Sequence, residues 1–145
     1  MNNLTAPEII TKLRSYLAER PYIAFGYLFG SRTGKNFTPL SDIDLAVFID
    51  TEKISEDLFE LRLKELTALF RSLETDHLDL VFLNETPIDL SYNIIKHGLL
   101  IEDRDSHQRI QFVENTVRNY LDRKYFLDYR NKIIRQKMIE GSYFD

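Results

Sequence analysis

The sequence predicts an α+β fold: a small mixed β-sheet of three or more strands, covered by helices on one side, with a long helix at the C-terminal end. Three observations carry that prediction. Apolar runs rich in aromatic and β-branched residues, each short enough for a buried strand, stand at 22–28, 43–49 and 78–83, with a shorter one at 99–101. Stretches with apolar residues at three- and four-residue steps lie at 5–20, 55–73 and 88–97. From 105 to 140 there is neither glycine nor proline.

At 145 residues the chain has the length of one ordinary domain, able to bury most of its apolar surface without staples. Cysteine is absent, which excludes thiol catalysis, thiolate metal sites and disulfides and fits a reducing compartment. Met1-Asn2-Asn3-Leu4 lacks the basic and apolar regions of a signal peptide. No apolar run approaches the length of a membrane span. A cytoplasmic protein without a membrane partner is expected.

Charge is unevenly spread. Residues 1–103 hold 10 lysines and arginines against 17 acids, a formal −7, whereas 104–145 hold 9 against 6, a formal +3. An acidic body argues against stable nucleic-acid binding. The basic end suits an electrostatically steered protein partner, or equally a solvated helix face. The organisation that follows is a core over 1–103 and a helical extension of the same domain over 104–145.

Each element has a local cause. Thr5-Ala6-Pro7-Glu8 reads as a capping box with proline in the first turn, and Ile9, Ile10, Leu13, Tyr16 and Leu17 supply a buried stripe. Pro21 ends that helix near Glu19-Arg20. In 55–73, Leu58, Leu61, Leu63, Leu66, Leu69, Phe70 and Leu73 oppose Glu56, Glu60, Lys64 and Arg71. This row is shorter than three heptads, so it reads as core packing rather than a coiled coil. Thr86-Pro87 starts the next helix, and Gly98 reads as its C′ residue. In the last segment Ile110, Val113, Val117, Tyr120, Leu127, Ile134 and Met138 form a row interrupted by Lys124 and Asn131. An unbroken helix there would be roughly 50 Å long, against about 38 Å for the diameter of a compact globule this size. It must project, or break between Asp122 and Asp128.

The chemistry concentrates between the first two strands. Gly30-Ser31 is followed, after ten residues, by Asp42-Ile43-Asp44. Alternation along a strand puts Asp42 and Asp44 on one face, roughly 7 Å apart. Two unpaired carboxylates there repel, and a divalent cation removes that cost; Mg²⁺ binds through one or two carboxylates plus substrate phosphates. An Asp-x-Asp alone is more often a solvated turn. Here it faces a glycine that lets backbone approach a phosphate, a Ser31 hydroxyl and amide, and the cations Arg32 and Lys35. Asp79, an acid inside the apolar run Leu78-Asp79-Leu80-Val81-Phe82-Leu83, also needs a partner. That partner is the metal pair if the strands are neighbours, or else Arg32 or another base. His77, His97 and His107 show no ligand spacing, and none is assigned to metal or proton transfer.

Gly30-Ser31, ten residues, then Asp42-Ile43-Asp44-Leu45-Ala46-Val47 resembles the signature of the DNA polymerase β-type nucleotidyltransferases, and in particular its minimal (MNT) branch. The likeness spans about the first hundred residues. Many MNT sequences read Gly-Ser-x-Ala-x-Gly, whereas Gly34 here comes one residue early. The resemblance implies a palm-like fold and nucleotidyl transfer from a nucleoside triphosphate, most often ATP, with two Mg²⁺ ions. Asp42, Asp44 and Asp79 would be the catalytic and metal-binding carboxylates, and Gly30, Ser31, Arg32 and Lys35 the phosphate-binding residues. It further implies an antitoxin that places AMP on a tyrosine of a HEPN-type RNase toxin. The alternatives are a small-molecule acceptor such as an aminoglycoside, and a non-catalytic antitoxin acting by occlusion. A homo-oligomer is compatible with all three.

Overall fold

A computed structural model describes residues 5–30 and 42–141. Helix α1 (Ala6–Ala18) begins as expected: Thr5 and Glu8 close a reciprocal capping box, proline sits in the first turn, and Glu19 is the C-cap. Strand β1 (Ile23–Phe29) follows at once, and β2 (Ile43–Ile49) pairs antiparallel with it. A 3₁₀ turn at Thr51–Lys53 leads to α2 (Leu58–Leu73), capped by the Asp57 side chain on the Glu60 amide. Then come β3 (Leu78–Phe82), α3 (Ile88–His97), β4 (Leu99–Asp103) and α4 (Ser106–Ile139).

Among the described residues the strands form one mixed sheet in the order β3-β2-β1-β4. The β2–β3 pair is parallel, which the crossover through α2 permits, and both pairs made by β1 are antiparallel. On one face, Ile43, Leu45, Val47 and Ile49 of β2 join Leu78, Leu80 and Phe82 of β3 under α1 and α2. On the other, Ala46 and Phe48 meet Ile94 of α3 and Phe112 of α4, with Phe25 stacked on Phe48 at 5.1 Å between ring centres. Helices therefore cover both faces, not one. The reason is the two-sided burial of β1: six of its seven residues are buried, which an open face would not allow.

The long helix is unbroken over 34 residues, about 51 Å at 1.5 Å per residue, so of the two expected outcomes projection holds. Its first part packs on the sheet through Phe112 and the buried Thr116. Next, Tyr120 stacks on Tyr92 of α3 at 3.7 Å, and Arg123 pairs with Asp89 at 3.3 Å. Beyond these anchors Tyr125, Phe126 and Tyr129 are exposed.

Two local expectations are corrected. Gly98 is extended (φ −75°, ψ 160°), not left-handed, and its value is room: a Cβ there would lie 2.5 Å from the Ile94 carbonyl oxygen. In α2, Leu63 is exposed while Glu65 is 3 % exposed. Glu65 accepts from the Tyr16 and Tyr22 hydroxyls and from Arg20 Nε at 2.5 Å, and the Arg20 guanidinium lies over the Tyr16 ring. The buried carboxylate is thus paired, as burial demands.

Candidate active site

The site grows from the open end of β1 and β2. Phe29 pairs with Asp44 across those strands, so Gly30, the next residue, is brought against the Asp44 side chain. Gly30 has φ +83°, where side chains are disfavoured, and any Cβ would collide with the Asp44 carboxylate. Glycine is required twice over, by its backbone and by its neighbour.

Asp44 also pairs with Asp79 in the parallel β2–β3 ladder, and Ile43 with Leu78. Residues in register on neighbouring strands share a face and lie about 5 Å apart. Asp42 immediately precedes β2, near enough for its charge to act on Asp44. Burial first, then the charges of Asp79 and Asp42, push the Asp44 carboxyl above its ordinary value. The neighbouring strand expected for Asp79 is found, while Asp42 stands just before the first residue of β2.

The flanking acids have basic neighbours that the sequence did not reveal. Asp79 is exposed and takes an ion pair from Arg62 of α2 at 3.3 Å, while Arg62 Nε donates to the Leu80 carbonyl at 2.7 Å. Of the alternatives raised for Asp79, a base is found, and it is Arg62; Asp79 also lies in register with Asp44. Asp42 lies 3.5 Å from His77 Nδ1, because the Ile43 amide donates to the His77 carbonyl and so aligns the two strand starts. Neither residue carries a motif: Arg62 is brought in by the packing of α2 on the sheet, and His77 by the pairing of β2 with β3.

Among the described residues, no group of three or more carboxylates, thiolates or imidazoles is arranged to hold a metal ion. The donor chemistry nonetheless fits a hard divalent cation: Asp44 and Asp79 are in register with Asp42 nearby, and burial and then the charges of the other two acids disfavour the Asp44 anion. Ser31, Arg32, Lys35 and the early Gly34 lie outside the described residues. No described helix is long and apolar enough to cross a membrane.

Comparison with known proteins agrees with this geometry. Residues 11–107 match the family model for polymerase beta-type nucleotidyltransferases. No curated protein matches. Among solved structures, a chain of a toxin-antitoxin complex with AMP-PNP is 26% identical, with a TM-score of 0.63, over 93% of this chain and 99% of that one. A chain of the MntA-HepT toxin-antitoxin complex is 25% identical, with a TM-score of 0.57, over 94% and 99%. A third, at 26% identity and a TM-score of 0.57 over 95% and 99%, comes from tri-AMPylated Shewanella oneidensis HEPN toxin in complex with MNT antitoxin.

Proposed function

Since the chain belongs to the polymerase beta-type nucleotidyltransferase family, we propose that it is an Mg²⁺-dependent protein adenylyltransferase, an antitoxin that moves AMP from ATP to a tyrosine hydroxyl of a cognate HEPN-type toxin. What supports the reading most is the register of Asp44 with Asp79 beside a glycine that nothing larger could replace. The similar complexes add AMP-PNP and an AMPylated HEPN toxin as chemical precedents.

In this reading Asp42, Asp44 and Asp79 hold Mg²⁺, which when bound neutralises charge on the triphosphate and on the departing pyrophosphate. Gly30 brings its backbone close to the phosphates, and Ser31 receives them with its hydroxyl and amide. Arg32 and Lys35 add positive charge there. Asp79, at the outer side of the row, accepts the hydrogen bond of the incoming tyrosine hydroxyl. The hydroxyl oxygen then bonds to the α-phosphorus, the bond from that phosphorus to the β-phosphate oxygen breaks, and Asp79 takes the proton. Pyrophosphate leaves.

The projecting part of α4 is the docking surface in this account. Tyr125, Phe126 and Tyr129 are exposed there among several lysines and arginines, with no contact to the sheet to explain them.

ATP labelled at the α-phosphate tests the chemistry. With the HEPN partner present, label should pass to that protein, and Asp42→Ala or Asp44→Ala should abolish it. Transfer of label from the γ-phosphate instead would make the protein a kinase and overturn the proposal.

A further inference from the structure

We propose that Arg62 is a positioning residue that assigns Asp79 to the acceptor side of the site. This rests on the nucleotidyl-transfer reading above. β3 is an outer strand, and α2 packs on the sheet face opposite the carboxylate row. The Arg62 side chain spans from that helix to the strand edge. There its Nε is fixed on the Leu80 carbonyl at 2.7 Å, and a terminal nitrogen of the same planar group reaches Asp79 Oδ1 at 3.3 Å. The neighbouring outward carbonyl, that of Phe82, is taken by the Thr86 hydroxyl at 2.7 Å.

The pair contributes little to stability, being half exposed at both ends. Its consequence is directional. A guanidinium donates along fixed, divergent directions, so anchoring one nitrogen on backbone fixes where the other can hold a carboxylate. One Asp79 oxygen is thereby occupied, and the Asp79 charge is balanced on the side away from Asp44. Asp42 and Asp44 are left to dominate cation binding, and the second oxygen of Asp79 is left for the hydroxyl. A lysine ammonium has three rotatable donors and no rigid fork, so its hold on the Leu80 carbonyl would not fix the direction in which it holds Asp79.

The test reads two quantities on the full chain with its HEPN partner: Mn²⁺ affinity in the presence of an unreactive ATP analogue, and the rate of AMP transfer. Arg62→Ala removes a positive charge beside the row and frees Asp79, so Mn²⁺ should bind about 3- to 10-fold more tightly. Transfer should nevertheless slow about 10- to 100-fold, as expected for a misplaced reacting group. Arg62→Lys keeps the charge, so its Mn²⁺ affinity should stay within about two-fold of wild type while transfer remains slow. Added guanidinium ion should restore part of the rate to Arg62→Ala and none to Arg62→Lys.

Opposite signs for affinity and rate are what a merely structural role would not produce. If Arg62→Ala transfers at the wild-type rate, or affinity and rate fall together, the inference is overturned. Wild-type protein that transfers no AMP counts against the function instead, and the Mn²⁺ titration still judges Arg62: unchanged affinity in Arg62→Ala rejects its role.

Discussion

Asp44 is the residue on which the site turns. Burial and two neighbouring acids raise its carboxyl above the ordinary carboxylate range, so its ionised form costs the folded protein stability. The sign is definite. Below the unfolded value both states are protonated and there is no cost; as pH rises through the raised value the cost develops fully. Asp44→Asn should therefore melt higher than wild type at neutral pH without divalent cation, and the gap should close in acid. Adding Mg²⁺ should raise the melting temperature of wild type and leave the variant unmoved. A variant that melts lower at neutral pH would mean that Asp44 is satisfied by the protein itself. Gly30→Ala should be harsher, losing nucleotide affinity because its φ and the Asp44 carboxylate both exclude a side chain. At this scale the sequence was informative where local periodicity governs. The apolar alternation of Ile43, Leu45, Val47 and Ile49 marked β2 with Asp44 on its other face, which needs no tertiary knowledge. Arg62 and His77 were not visible because the packing of α2 on the sheet brings one to Asp79 and the pairing of β2 with β3 brings the other to Asp42, and nothing in their own surroundings signals it.

The elements were legible in proportion to their local signals. The capping box of α1 and the glycine- and proline-free run of α4 appear where expected. In α2 the leucine row misled: Leu63 faces solvent and Glu65 faces the core, because Tyr16 of α1 and Arg20 and Tyr22 of the turn before β1 converge on its carboxylate. No periodicity count can see partners of that kind. Glu65→Ala should destabilise the fold by about 3–5 kcal/mol in denaturant titration, since it strands buried partners. Tyr16 and Tyr22 are both pushed above the ordinary tyrosine range, first by burial and then by the hydrogen bond to Glu65. Their contribution is complete below about pH 10 and is lost above it, where the unfolded chain ionises first. Alkaline melts should show that loss, and Tyr16→Phe should lessen its steepness. For α4, truncation after Asp122 removes the exposed aromatic segment but keeps the Tyr92–Tyr120 stack. The shortened protein should still bind ATP yet fail to modify its partner. Normal transfer by the truncated form would reduce that part of α4 to packing.

At the scale of the whole molecule, the fold's main surprise is where its helices lie. One covered face was expected from the order of elements, but the double-sided burial of β1 demanded cover on both. That arrangement leaves Asp44 and Asp79 side by side on β2 and the edge strand β3, while α4 extends beyond the globule. If the proposed function holds, chemistry and recognition use separate parts of the chain, and separate mutations should lose them. Asp44→Ala should keep the partner complex while ending transfer, the reverse of the α4 truncation. The most direct measurement is intact-mass spectrometry of the HEPN-type toxin from the same genome, co-expressed with this chain. The account predicts that the toxin gains one or more AMP units with wild-type protein and none with Asp44→Ala. Relief of toxicity by wild-type protein with the toxin mass unchanged would contradict it and leave occlusion as the mechanism.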